Sequence, residues 1–151
     1  SGGRGGAGQG LACYKMAMAG REGRIAVVAS ARLDERWVRV DKLTAVADIG
    51  RIVNVDIARQ QIEGGLVFGM GLASGSATSY VKGLPQRGRL GLLGLPLLPD
   101  CPEIDVDFID SENEPFDPGE LGAVAAPPAI ANALSSAGSE RLRNLPLMGA
   151  A

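Results

Sequence analysis

The chain has 151 residues, of which 46% are hydrophobic and 21% are charged, with a formal net charge of −2. This composition is typical of one globular domain, and the near-zero charge disfavours a broad nucleic-acid-binding surface. No run of about 18 apolar residues occurs, so the sequence predicts no membrane-spanning helix. The absence of histidine excludes Ser-His-Asp and Cys-His catalysis and histidine-liganded zinc.

The cysteines and the start of the chain further limit the classes of protein and of metal site that the sequence allows. Cys13 and Cys101 are far apart and form no C-x-x-C motif, so alone they do not make a zinc or iron–sulfur site. Free thiols are favoured over a disulfide, since a chain of this size does not need a cross-link. No signal peptide and no initiator Met are visible, and we expect Ser1 to be a cut or processed end of a longer cytoplasmic or periplasmic protein.

The first half of the chain predicts a flexible end, a hairpin and a helix. Residues 1–10 are mostly glycine and are expected to be flexible. Residues 25–47 form two strand-like runs around a polar turn, which predicts a β-hairpin. Asn54 or Asp56 then caps a helix that runs to about Leu72.

Four glycines lie inside this predicted helix, at Gly64, Gly65, Gly69 and Gly71. Each costs about 0.5–1 kcal/mol relative to alanine in a helix interior. The cluster therefore indicates that another backbone or a ligand comes close, and we expect this side of the helix to face protein or cofactor rather than water.

The second half is expected to contain three strands and a helix. Short strands are predicted around 78–81 and 89–93, and alternation over 103–109 predicts a strand with apolar residues on one face and aspartates on the other. An acidic loop over 111–119 precedes a final helix, which has Pro127 and Pro128 in its first turn and ends at Gly138. The elements together predict an α+β fold.

Two motif-like stretches are interpreted as non-functional. Residues 3–8 match G-x-G-x-x-G by letter, but they follow no strand and open no βαβ unit, so a flexible end is favoured over a dinucleotide site. The acidic residues between Asp100 and Glu120 do not have the register of a calcium loop, and a solvated surface is favoured.

Two polar groups framed by glycine are the candidate functional residues. Glu120 lies between Gly119 and Gly122, before an apolar helical segment, where the protonated form of a carboxyl group is favoured and a general base is possible. The alternative is an ordinary glutamate stabilised by the helix N-terminus. Gln60 and Gln61 precede Gly64, and a glutamine amide can hydrogen-bond the edge of a heterocycle, although a surface glutamine is the default interpretation.

In series, these pieces resemble the C-terminal part of the molybdopterin-binding subunit of the xanthine dehydrogenase/aldehyde oxidase family, on its isoquinoline 1-oxidoreductase-like side. The stretches that carry the resemblance are 10–14 (GLACY), 45–54 (AVADIGRIVN), 61–69 (QIEGGLVFG), 102–106 (PEIDV), 119–120 (GE) with 129–133 (AIANA), and 141–146 (RLRNLP). The chain departs from the family at Val55, where proline is usual, and over 83–99, which lacks the usual polar and aromatic residues.

The resemblance implies a role for each candidate residue. Glu120 corresponds to the catalytic glutamate, the base in the hydroxylation of an aldehyde or N-heterocycle carbon with water-derived oxygen. Gln61 corresponds to the glutamine that hydrogen-bonds the pterin, and Gly64, Gly65 and Gly119 are expected to let the backbone lie against the cofactor. No metal-ligating residue is predicted.

The resemblance also implies that residues 11–151 are the C-terminal portion of a molybdenum-cofactor-binding domain, preceded by a flexible end over residues 1–10. The expected partners are an upstream molybdopterin-binding segment, an iron–sulfur subunit or domain, a flavin or haem electron acceptor, and a small aldehyde or N-heterocycle, but no nucleic acid. We expect a molybdopterin-type cofactor in the full enzyme and none bound tightly by this piece alone. The alternative is a non-catalytic α+β scaffold or interaction module related to that family.

Overall fold

A four-stranded sheet with two helices on one face organises the chain in the computed structural model, which describes residues 6–34 and 37–147. The strands lie in the order β1–β2–β3–β6, where β6 is parallel to β3 and the other pairs are antiparallel. The bounds are β1 Gly8–Met18, β2 Arg21–Asp34, β3 Trp37–Asp48, α1 Val55–Ser74, β4 Tyr80–Val81, β5 Leu84–Pro85, β6 Glu103–Phe108 and α2 Leu121–Ser136. The predicted α+β class and the hairpin over 25–47 are confirmed. Neither helix is long and apolar enough to cross a membrane in the part of the chain that the structure describes.

The sheet follows from alternation of buried and more exposed residues along its central strands, which a bulge at Asp41 shifts by one residue in β3. In β2, Ile25, Val27, Ala29 and Ala31 are buried against the helices, while the residues between them are half-buried or exposed. In β6, Val106 is buried and the flanking aspartates are exposed, as the alternation predicts. The alanines on the inner face of the sheet leave room for the helices to approach it closely.

Helix α1 begins as the sequence predicts. The Asn54 side chain accepts a hydrogen bond from Ile57 N at 3.0 Å, so Asn54 is the capping residue of the two candidates. The helix runs two residues beyond the predicted end, to Ser74, and Gly75 follows it with φ of 137°. Arg59 fixes the helix to the sheet, because it donates to Val106 O and lies 5.8 Å from the centre of the Phe108 ring.

The two helices cross at glycines. A Cβ on Gly69 would lie 2.7 Å from Ala123 O, and one on Gly122 would lie 2.7 Å from both Ile62 O and Leu66 N. Gly65 is also buried, with its Cβ position 3.1 Å from Ala123 N. The predicted close approach along the glycine side of α1 is therefore confirmed for Gly65 and Gly69.

Helix α2 starts earlier than predicted. It begins at Leu121, so Pro127 and Pro128 lie inside it and not in its first turn, which corrects that prediction. Pro127 has no N–H to bond the Ala123 carbonyl, and Gly69 of α1 packs against that oxygen instead. The predicted stop at Gly138 is confirmed, with φ of 98° and a hydrogen bond from Ser139 N to Leu134 O at 3.1 Å.

The expectation that residues 1–10 are flexible is wrong for Gly8–Gly10, which begin strand β1. Gly8–Gly10, which fall in the range expected to be flexible, are the first residues of β1, while residues 1–5 lie outside the described ranges. Gly8 and Gly10 face the backbone of α2 around Ala133, where a Cβ would not fit. From α2, Asn132 Nδ2 donates to Leu11 O at 2.9 Å and Ser136 Oγ donates to Gln9 O at 2.8 Å.

The segment between α1 and β6 has little regular structure. The short strand predicted around 78–81 is found as β4, which pairs with β5. The strand predicted over 89–93 is wrong, because Leu90–Leu92 form a 3-10 turn, and a second such turn covers Leu98–Asp100. Glycines and prolines interrupt any alternation in this segment, so no strand is sustained.

The face of the sheet opposite the helices carries ion pairs. Lys42 Nζ lies 2.6 Å from Asp105 Oδ2 and 2.8 Å from Glu103 Oε1, which links β3 to its parallel neighbour β6. The hydrogen bonds that Lys42 donates to Asp105 and Glu103 hold its pKa above the usual range. All three side chains are well exposed, so the stabilisation is small.

Candidate functional site

A cleft of about 380 Å³ lies where α1 meets the N-terminus of α2. It is lined by Gln60, Gln61, Gly64, Gly65, Phe68, Gly119, Glu120 and Ala123. All five residues predicted for the site therefore lie together, although Gln61, Gly64 and Gly65 come from α1 whereas Gly119 and Glu120 directly precede α2.

The Gln61 amide faces the loop that leads into α2. Gln61 Oε1 lies 3.3 Å from the position that a Cβ on Gly119 would occupy, so a larger residue at 119 would press against the amide. Asp117 holds the loop in place, because its Oδ1 accepts a hydrogen bond from Gly119 N at 3.0 Å. The absence of a side chain at Gly119 thus keeps the Gln61 side chain close to the loop and exposed to the cleft.

Glu120 occupies the residue that precedes α2, yet its side chain makes no capping hydrogen bond. It is exposed, and the described residues provide it with no hydrogen bond or ion pair. The carboxylate is therefore not used to hold the helix end and is available to accept a proton or a hydrogen bond in the cleft.

Adjacent glycines on α1 have different environments. Gly64 is exposed, and a Cβ there would meet no atom within 4 Å. Gly65 is buried, and its Cβ position lies 3.2 Å from Gly119 O. Gly64 therefore forms the open floor of the cleft, while Gly65 closes its base against α2.

Sequence reasoning does not single out Phe68 as a lining residue. Its side chain is 63% exposed, unlike most aromatic side chains in folded domains. The signal is its spacing, because residue 68 follows Gln61 by seven positions and Gly64 by four, which places all three on one helix face.

The chemistry of the lining limits what this cleft can hold. Amides, a carboxylate, an aromatic ring and open backbone suit the polar edge and flat face of a heterocycle. No lysine or arginine lines the cleft to hold a phosphate, and over residues 6–34 and 37–147 no three metal-ligating side chains converge. The residues present fit the organic ring system of a molybdopterin cofactor, but not its phosphate or its metal.

A larger cleft, of about 750 Å³, lies between the start of β3 and residues 94–103. Three of its four carboxylates have partners: Asp41 pairs with Arg32, Glu103 pairs with Lys42, and Asp100 accepts a hydrogen bond from Leu97 N at 3.0 Å. None of the predicted site residues lines it, so we assign the candidate site to the smaller cleft on chemical grounds.

Comparison with known proteins identifies related sequences. The membrane-bound aldehyde dehydrogenase (pyrroloquinoline-quinone) of Gluconacetobacter polyoxogenes is 34% identical over 110 residues, which are 73% of this chain and 14% of that protein. The isoquinoline 1-oxidoreductase subunit beta of Brevundimonas diminuta is 26% identical over 113 residues, which are 75% of this chain and 14% of that protein. The chain therefore spans about a seventh of the length of these relatives.

The fold has a counterpart in a solved structure, the aldehyde oxidoreductase from Desulfovibrio gigas activated with sodium dithionite and sodium sulfide. The TM-score is 0.73 at 27% identity, over 83% of this chain and 14% of that one. The resemblance drawn from the sequence is confirmed by these relatives.

A family match covers residues 7–102, which include β1 to β5 and the whole of α1. Gln61, Gly64 and Gly65 lie inside the matched residues, whereas Gly119 and Glu120 lie beyond them. The match extends over more than half of the chain, and the protein belongs to the family of molybdopterin cofactor-binding domains.

Proposed function

We propose that this chain forms one wall of the cofactor site of a molybdenum hydroxylase, an oxidoreductase that hydroxylates an aldehyde or an N-heterocycle carbon with water-derived oxygen. The observation that carries the proposal is the shared cleft, in which the amide of Gln61 and the unpartnered carboxylate of Glu120 lie around the open backbone of Gly64. The named activities of the relatives, on aldehydes and on isoquinoline, support the substrate class.

The proposal gives each residue a role that its position supports. The Gln61 side chain hydrogen-bonds the pterin edge, and its amide supplies both a donor and an acceptor. Gly64 lets the ring system approach the helix backbone, since no side chain stands between them. When bound, the molybdenum cofactor supplies the two-electron redox chemistry of the hydroxylation.

Glu120 acts as the general base. Its carboxylate is exposed in the cleft and makes no bond to the helix end, so it can accept the proton that is released when water-derived oxygen is transferred to the carbon.

The cofactor assignment uses the family match, because the name of one relative contains pyrroloquinoline-quinone instead. The matched residues include α1, which supplies Gln60, Gln61 and Gly64 to the cleft. The groups missing from the cleft, a phosphate site and metal contacts, are assigned to an upstream molybdopterin-binding segment. An iron–sulfur subunit or domain and a flavin or haem group are proposed to accept the electrons.

The test is the Glu120→Gln variant of the assembled enzyme that contains this chain. The change keeps the size and hydrogen-bonding capacity of the side chain but removes its basicity, so turnover should fall about 10²–10⁴-fold. The molybdenum and pterin contents should match the parent's, and stability should change by less than about 1 kcal/mol because the residue is exposed.

Glu112→Gln is the matched control, because Glu112 is exposed in the loop before α2 and does not line the cleft. It should retain parental turnover. Near-parental turnover by Glu120→Gln with full cofactor content would show that the base lies elsewhere. No molybdenum or pterin in the assembled parent itself would instead favour a non-catalytic scaffold.

A further inference from the structure

The cleft has an aromatic wall that the proposed function leaves unexplained. The chain has three phenylalanines. Phe116 is 5% exposed and packs against Gly23, and Phe108 lies beneath the Arg59 guanidinium. Phe68, by contrast, is 63% exposed at the edge of the cleft. An exposed aromatic ring at the edge of a cleft is typical of a contact surface for a ligand or partner.

The position of Phe68 relative to the other lining residues defines a slot. Gln60, Gly64 and Phe68 follow one another at intervals of four residues, so they lie in a row along one face of α1. The rise of about 1.5 Å per residue separates Gln60 from Phe68 by about 12 Å along the axis. Between them Gly64 has no atom within 4 Å of its Cβ position. The slot thus has amides at one end, bare backbone in the middle and an aromatic ring at the other end.

A slot of this form suits a flat conjugated ring. The amides of Gln60 and Gln61 can bond polar atoms on one edge of a heterocycle, and the glycine admits its face or edge to the helix. An aromatic side chain at the far end can then contact the ring in an offset-stacked or edge-to-face arrangement. A side chain longer than glycine at position 64 would occupy this space.

We propose that Phe68 is a specificity-determining residue of this cleft and contacts a flat conjugated ring held beside Gly64 by the glutamine amides. The inference rests on the proposed function, which supplies two sources for such a ring: the pterin, and an aromatic or heterocyclic substrate. Phe68 fixes the lateral position of the ring, while Glu120 performs the proton transfer.

The experiment uses the assembled enzyme with Phe68→Ala, Phe68→Tyr and a matched control, Ile57→Ala. Ile57 is 58% exposed on the same helix and does not line the cleft. Pterin and molybdenum contents are measured first, followed by kcat and KM for an aromatic aldehyde and for a short aliphatic aldehyde.

Either of two results supports the proposal and identifies the ring. If the ring is the pterin, Phe68→Ala lowers the pterin content about three- to tenfold, as expected for the loss of an aromatic contact. If the ring belongs to the substrate, pterin content stays parental and KM for the aromatic aldehyde rises about three- to tenfold, with little change for the aliphatic one. In both cases Phe68→Tyr restores most of the parental value and Ile57→Ala has no effect.

Parental pterin content and parental KM values in Phe68→Ala would overturn the inference. Equal losses in Phe68→Ala and Ile57→Ala would also overturn it, since both would then reflect packing between protein segments. The Glu120→Gln variant separates this failure from failure of the proposed function. If Phe68→Ala has parental pterin content and KM values while Glu120→Gln is inactive with full cofactor content, only the role of Phe68 is removed and the proposed function stands.

Discussion

Gly64 and Gly65 are neighbours in one helix, yet they have opposite environments. Gly65 lies on the side of α1 that packs against α2, with backbone atoms of Gly119, Gly122 and Ala123 within 3.3 Å of its Cβ position. Gly64 is rotated away from that contact, and no described atom outside its own helix backbone lies within 4 Å of its Cβ position. The helix rotates by about 100° per residue, since it has 3.6 residues per turn, which is enough to move one glycine from the closed side to the open side.

The difference separates two reasons for glycine in a helix. On the closed side, glycine is required by atoms within this chain, and the helix crossing explains the conformational cost. On the open side, no atom of the described chain requires it. The proposed cofactor contact would offset the cost of Gly64, which is about 0.5–1 kcal/mol relative to alanine.

The strongest test of the closed side is Gly122→Ala. The new methyl group would lie 2.7 Å from two backbone atoms of α1, Ile62 O and Leu66 N, which cannot move without separating the helices. We expect the free energy of unfolding to fall by about 1–3 kcal/mol, measured by urea denaturation. An unchanged denaturation midpoint would contradict the close crossing.

The same substitution on the open side, Gly64→Ala, should have the opposite effect on stability. Alanine fits without contact, so the free energy of unfolding should rise by about 0.5–1 kcal/mol in the same urea experiment.

In the assembled enzyme the pterin content of Gly64→Ala should fall, because the methyl group occupies the floor of the cleft. Gly91→Ala is a control, since Gly91 also has open space around its Cβ position but lies away from the cleft. Full pterin content in Gly64→Ala would show that the open side does not contact the cofactor.

The lowest molybdenum content is expected when the 151-residue chain is purified alone. The closed side is complete within the chain, whereas the open side supplies amides and a carboxylate but no cation for a phosphate. We expect far less than one molybdenum per chain after gel filtration, by elemental analysis. Stoichiometric molybdenum would show that the cleft binds the cofactor without further segments.

Local patterns predicted much of the fold because they depend on neighbouring residues. The alternation of β2 and β3 and the Asn54 cap are properties of short segments, and the structure agrees with them. Strand β1 was not predictable in this way, because Gly8 and Gly10 resemble a flexible end. These glycines are needed because the backbone of α2, about 120 residues away in the sequence, packs against them.

The candidate site was also predictable only where it depends on neighbouring residues in the sequence. Glycines beside Gln61 and Glu120 indicate open space in the sequence, but only the crossing of α1 and α2 shows that both face one cleft. The early start of α2 was missed because two prolines usually mark a first turn, and the contact between Gly69 and the Ala123 carbonyl is tertiary.

The hydrogen bonds from Asn132 and Ser136 to the Leu11 and Gln9 carbonyls of β1 have a consequence for aggregation during folding. An edge strand with free carbonyl groups can pair with another chain, and aggregation starts in this way. During synthesis β1 is made before α2, so the Gln9 and Leu11 carbonyls lack these hydrogen bonds until the helix docks. The helix that begins after Glu120 therefore also protects the sheet edge, and a change that delays its docking exposes β1 to intermolecular pairing.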